Sequence, residues 1–120
     1  MILVDTSIWI HHFRESNETL CHLLARGQVY THPFILGELR CGNLPKRTQT
    51  LLDLSSLPQA KPSLDIEVNK LIESRQLMGK GIDYIDAHLL GSTLISGLSL
   101  WTRDKRLHRI ADTLLCAHHA

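Results

Sequence analysis

Cysteine, long apolar runs and excess charge are all scarce in this sequence, and each shortage excludes something. The three cysteines (Cys21, Cys41 and Cys116) are odd in number, far apart and form no CxxC pair. Such a set is neither a disulfide framework nor a zinc cage; it fits free thiols in a reducing cytoplasm. The longest apolar runs are a handful of residues, far short of a membrane span. Asp5 interrupts the N-terminal apolar run and no basic segment precedes it, so no secretory signal is expected. Net charge is only +1. Any affinity for nucleic acid must therefore come from a local patch. There is no internal repeat, and the one linker-like stretch, PQAKP at 58–62, is too short to divide the chain. One domain over residues 1–120 is expected.

What is present is organised around the first ten residues, MILVDTSIWI. Ile2, Leu3 and Val4 form an apolar run suited to a buried parallel strand, and Ile8, Trp9, Ile10 and Phe13 resume at helical spacing. Asp5 thus falls at the carboxyl end of the first strand, where ligands bind in open α/β sheets, or else simply caps the first helix. Further on, Asn17 starts a second helix that Gly27 stops, and QVYTH (28–32) reads as a second strand. Pro33 opens a helix reaching Gly42, and Pro45 opens another ended by Pro58. Ser63 is expected to cap an amphipathic helix built on Leu64, Val68, Leu71 and Ile72. Asp83 starts DYIDAHLLGSTLISG, where Gly91 suggests close packing. LSLWT (98–102) reads as a further strand, RDKRLHRIA as the last helix, and Leu114–Ala117 as an edge strand. Strands alternating with helices argue for an α/β fold, a parallel sheet covered on both faces.

Four acids recur in comparable places. Asp5 and Asp104 follow strands. Glu38 lies on a helix beside Phe34, Ile35 and Cys41, where an unpartnered carboxylate is costly. Asp86 sits one turn beyond Asp83 with Ile82, Ile85 and Leu89 around it. Each has a plain alternative, since Asp83, Asp86 and Asp104 all suit helix N-termini. If the four converge, they repel one another, and the site calls for a hard divalent cation. Magnesium or manganese takes oxygen ligands, keeps several waters and supports phosphodiester cleavage.

These residues resemble a known family. VDTSIWI, a Glu in the helix after the second strand, IDAHLL and LWTRDKRL, in this order and across essentially the whole chain, resemble the PIN domain. More narrowly they are similar to the VapC ribonuclease toxins of toxin–antitoxin pairs. The resemblance implies a three-layer α/β/α sandwich around a central parallel sheet and magnesium- or manganese-dependent cleavage of RNA. It also implies a cognate antitoxin and a homodimer within the toxin–antitoxin complex. It maps the catalytic and metal-binding acids onto Asp5, Glu38, Asp86 and Asp104, with Thr6 and Thr102 as polar supports. Asp83 stands as an alternative to Asp86, which DAHLL matches better.

The other constellations weigh less. None of the eight histidines pairs with another at the i, i+4 spacing of a helical zinc site, so surface or structural roles are expected. His88 is expected to pack away from Asp86. Arg103, Lys105 and Arg106, with Arg109, flank Asp104, while Arg40, Lys46 and Arg47 follow Glu38. They form either a solvated face or a track for RNA phosphates. Trp9, Phe13, Leu44, Leu51 and Leu54 suit a groove for a partner helix or, more simply, core. An aspartate-nucleophile phosphatase is the rival enzyme, but that chemistry needs a second Asp where Ser7 stands. A receiver domain needs a late-strand Lys that has no place here. A non-catalytic RNA- or partner-binding module is the rival without chemistry.

Overall fold

The computed structural model describes residues 1–120. Its elements run β1 (Ile2–Val4), α1 (Thr6–Glu15), α2 (Glu18–Ala25), β2 (Val29–Tyr30), α3 (Pro33–Arg40), α4 (Arg47–Ser55), α5 (Asp65–Arg75), α6 (Tyr84–Ser96), β3 (Ser99–Trp101) and α7 (Lys105–Thr113). The strands form one parallel sheet in the order β2-β1-β3. Leu3 lies opposite Tyr30 on one side and Leu100 on the other. Successive strand residues point to opposite faces. Ile2, Leu3 and Val4 are all buried, so both faces of the sheet are covered, which is the α/β sandwich expected.

The order 2-1-3 has a consequence for function. The chain leaves β1 toward β2 on one side and returns to β3 on the other, so the connections reverse direction at β1. Such a switch point opens a crevice outside the carboxyl ends of the strands. Asp5 is the residue that follows β1, and its N–H donates to the Trp101 carbonyl at 2.9 Å. The β1 and β3 exits are therefore pinned side by side.

Beneath the crevice lies a contiguous apolar core, with Leu3, Ile35, Leu89, Leu100 and Leu107 fully buried. At the end of β2 the buried His32 caps α3: its Nδ1 accepts the Phe34 N–H at 2.9 Å, and its Nε2 lies 3.1 Å from the Ser92 hydroxyl. With Nδ1 accepting, Nε2 carries the proton. Burial, and secondarily the nearby His88, lower the His32 pKa to about 4. The Gly91 reading holds, because a Cβ there would come within 2.7 Å of the Ser63 hydroxyl.

Several expectations need correction. Ser63 does not cap α5. Leu64 takes the cap position, with Glu67 Oε1 accepting the Leu64 N–H at 2.8 Å, while Leu64 itself is exposed. The Ser63 hydroxyl is instead turned inward toward Gly91, without a partner. Leu114–Ala117 contributes only a single parallel bridge, Leu100 to Ala117, and QVYTH pairs as strand only over Val29–Tyr30. Trp9 and Leu54 are core, whereas Phe13 and Leu44 are only partly buried and line a surface cleft.

Candidate active site

The β1 and β3 exits carry the first part of the site. Asp5 occupies the cap position of α1, yet its side chain makes no capping bond. Its Oδ2 instead accepts from the Thr102 hydroxyl at 2.7 Å and from the Ser7 hydroxyl at 3.0 Å. Plain helix capping therefore does not explain this buried carboxylate. Thr102 Oγ1 also accepts the Asp104 N–H at 3.1 Å, and Ser7 Oγ accepts the Arg103 N–H at 3.0 Å. Two hydroxyls thus tie the β1–α1 turn to the β3–α7 turn and fix Asp5 relative to Asp104.

Asp104 caps α7 as its alternative reading proposed, with Oδ1 accepting the N–H groups of Arg106 and Leu107 at 2.9 and 3.2 Å. Capping and a site role are compatible here, because capping fixes one oxygen and orients the other. Asp83 and Asp86 do the same reciprocally at the start of α6. Asp83 Oδ1 accepts the Asp86 N–H at 2.8 Å, and Asp86 Oδ2 accepts the Asp83 N–H at 3.2 Å. Asp83 is exposed and spends Oδ1 on its helix, whereas Asp86 is half-buried.

The fourth acid arrives from α3. Thr6 Oγ1 donates to Glu38 Oε1 at 2.7 Å, which ties Glu38 to the residue that follows Asp5. Glu38 does not sit on an apolar face as the sequence suggested. The buried stripe of α3 is Ile35, Leu36 and Leu39, and Glu38 falls about a quarter-turn off it, exposed, with Phe34 and Cys41.

Electrostatics shows that three of the acids share one region. Burial is the main cause that pushes the Asp86 carboxyl up to about 6; the Asp83 backbone bond opposes it, and the charges of Asp83, Asp5 and Asp104 add to it. No lysine or arginine answers these carboxylates, since every acid–base contact within 4.0 Å uses a histidine (His11–Glu15, His88–Asp65 and His119–Asp112). The donor set is oxygen only. It suits a hard divalent cation that keeps most of its waters and needs only one or two carboxylates directly. It does not suit a dehydrated cage: no three His, Cys, Asp or Glu side chains are gathered closely enough to hold an ion alone.

Ser7 is the functional candidate that reading the sequence missed. The signal was a hydroxyl two residues after an acid at a strand end, read only as the wrong residue for a phosphatase. His88 is buried as expected, edge-on to Tyr84 and Phe34, and its Nε2 meets Asp65 Oδ1 at 3.0 Å. The basic residues divide. Arg103, Lys105 and Arg109 line one cleft, while the Arg106 side chain lies against Gly81.

Comparison with known proteins agrees with this architecture. The family model described as PIN domain matches residues 2–113. Ribonuclease VapC32 of Mycobacterium tuberculosis, in strains CDC 1551 / Oshkosh and ATCC 25618 / H37Rv, is 44% identical over 108 residues, covering 89% of this chain and 87% of the relative. The crystal structure of FitAcB from Neisseria gonorrhoeae superposes with a TM-score of 0.64 at 21% identity, covering 93% of this chain and 94% of that one. PAE2754 from Pyrobaculum aerophilum gives 0.61 at 21% identity, covering 95% and 85%. The two solved structures share the fold, the family model spans nearly the whole sheet-and-helix arrangement, and the crevice acids fall within it: the chain belongs to the PIN-domain family.

Proposed function

We propose that this chain is a divalent-metal-dependent endoribonuclease, the toxin of a toxin–antitoxin pair, with residues 1–120 acting as one nuclease domain. The observation that carries the reading is the uncompensated acid cluster at the switch point. No lysine or arginine lies within 4.0 Å of these carboxylates, and burial with the charges of Asp83, Asp5 and Asp104 pushes the Asp86 carboxyl up to about 6. Membership in the PIN family and the 44% identity to a protein named a ribonuclease support it.

Asp5, Glu38, Asp86 and Asp104 would hold magnesium or manganese, and a bound ion supplies an activated water and charge stabilisation for phosphodiester cleavage. The chain's own residues do the positioning. Thr102 and Ser7 hold Asp5, Thr6 holds Glu38, and the cap hydrogen bonds fix one oxygen each of Asp86 and Asp104 and leave the other free. The acids also make the crevice electronegative. RNA phosphate therefore needs both the cation and a separate basic contact, and Arg103, Lys105 and Arg106 are the candidates. A cognate antitoxin, a homodimer within its complex and a cytoplasmic setting complete the proposal. The three free cysteines support that compartment, and no helix is long and apolar enough to cross a membrane.

The test is cleavage of single-stranded RNA with magnesium, with manganese and with EDTA. Turnover should require a divalent ion and fall to background in Asp5→Asn. Cleavage that survives chelation and dialysis would refute metal dependence, and full activity in Asp5→Asn would refute the site.

A further inference from the structure

Beside the acids, α7 and the tail that follows it enclose an open cleft of about 540 Å³. Arg103, Lys105 and Arg109 line it from the β3–α7 side, and His118 and His119 line it from the tail. The tail reaches this position through the sheet. Ala117 bridges Leu100 in parallel, and the His118 N–H donates to the Leu100 carbonyl at 2.8 Å. A parallel addition beyond β3 delivers the residues after it to the carboxyl edge, the same edge that carries Asp5 and Asp104. Thr102 links the two places directly, since it lines the cleft and donates to Asp5.

The charge of the cleft is opposite to that of the crevice. Arg103, Lys105 and Arg109 are exposed and have no carboxylate within 4.0 Å. The one acidic side chain lining the cleft, Asp112, is already met by His119 Nε2 at 3.0 Å. A positive cleft adjoining a negative crevice fits a ligand that is anionic along its length and reacts at one point in the crevice. Its volume lies within the ~300–1,000 Å³ of small-ligand sites.

We propose that this cleft seats the backbone phosphates of single-stranded RNA flanking the bond to be cut. The assignment rests on the ribonuclease reading and narrows it: of the basic residues around Asp104 it keeps Arg103, Lys105 and Arg109, adds the tail, and leaves Arg106, turned to Gly81, outside the cleft. Phosphate contacts of this kind fix the register of the strand on the acids without reading its sequence.

The experiment is binding of a short fluorescein-labelled single-stranded RNA to the full chain in EDTA, followed by anisotropy across a range of salt. Lys105→Gln combined with Arg109→Gln should weaken binding about equally for RNAs of different sequence. The slope of log K against log salt should become shallower by about 1.4, since each lost contact to a single strand removes about 0.7. Lys70→Gln combined with Arg75→Gln, on α5, should leave both quantities unchanged. Because the substituted side chains are exposed, thermal midpoints should match the parent, which separates lost contacts from lost fold. The proposal is overturned by an unchanged affinity and slope in the cleft variant, by a loss confined to one RNA sequence, or by a parent chain that binds no RNA. Loss of binding to poly-glutamate with RNA binding intact would also overturn it, assigning the cleft to an acidic protein partner. Cleavage with magnesium, measured separately on the same proteins, tests the ribonuclease reading independently of this result.

Discussion

Replacing Asp86 by Asn should stabilise the metal-free protein, and only above a definable pH. The Asp86 carboxyl is raised from its ordinary value of 3.8 to about 6, first by burial and then by Asp83, Asp5 and Asp104. A raised carboxylate pKa means that the folded state holds the proton more tightly than the unfolded state between these values. Stability contributed by this group therefore falls as pH climbs from about 4 to about 6, and the full penalty is present above. At 1.36 kcal/mol per pH unit the penalty has a ceiling of about 3 kcal/mol, which solvent at this half-open site screens to about 1–2 kcal/mol. Asn removes the charge, keeps the shape and keeps an oxygen for the Asp83 N–H. In EDTA at pH 7.5 the variant should melt roughly 4–8 °C above the parent, at about 4 °C per kcal/mol for a domain of this size. At pH 4 the difference should vanish. His32 pulls the other way over the same window: with its pKa lowered to about 4 it is protonated more readily unfolded, so its contribution to stability rises with pH. For that reason the comparison is parent against variant at each pH, in which the His32 contribution cancels. Saturating magnesium should then reverse the order, since an ion at about 100-fold its Kd adds about 2.7 kcal/mol to the parent and less to a variant lacking a ligand. An Asp86→Asn protein that melts below the parent in EDTA at pH 7.5, with no pH dependence and no differential magnesium effect, would refute the shared acid site.

Other outcomes follow from the same geometry. Glu38→Gln, Asp86→Asn and Asp104→Asn should each abolish most RNA cleavage, whereas Asp53→Asn, exposed and bonded only to Gln49, should cleave at the parental rate; an inactive Asp83→Asn beside an active Asp86→Asn would move the third acid to Asp83. Thr102→Val removes the donor to Asp5 and the acceptor for the Asp104 N–H, so chemical denaturation should show a loss of about 1–3 kcal/mol together with reduced turnover, and Thr102→Ser should restore most of both. Gly91→Ala drives a methyl against Ser63 and should cost about 1–3 kcal/mol as overpacking does; combining it with Ser63→Ala should recover part of that loss in the same assay.

How much of this protein its sequence alone determined is clearest from particular residues. The strand–turn–helix at residues 2–13 was legible because an apolar run, an acid and a helical period follow one another with no competing reading. Asn17, Asp83 and Asp104 announced helix starts for the same local reason, a short side chain whose oxygen reaches the next turn's N–H groups. Ser63 looked like another and was not, because its hydroxyl is drawn into the packing against Gly91, a contact 28 residues away in the chain. The four acids could be picked out one at a time, but local pattern could not choose between cap and site. That choice belongs to the tertiary structure. Parallel pairing puts the exits of β1 and β3 side by side, so the Asp5 side chain forgoes the N–H groups of its helix for the hydroxyls of Thr102 and Ser7, 97 and 2 residues away. Thr6 reaches Glu38 across 32 residues. The elevated pKa of Asp86 is likewise invisible in sequence, because burial and the field of distant carboxylates are properties of the folded chain. Helix propensity and capping act within a turn; charge, desolvation and sheet register act across the whole fold, and they bring Asp5, Asp86 and Asp104 into one region.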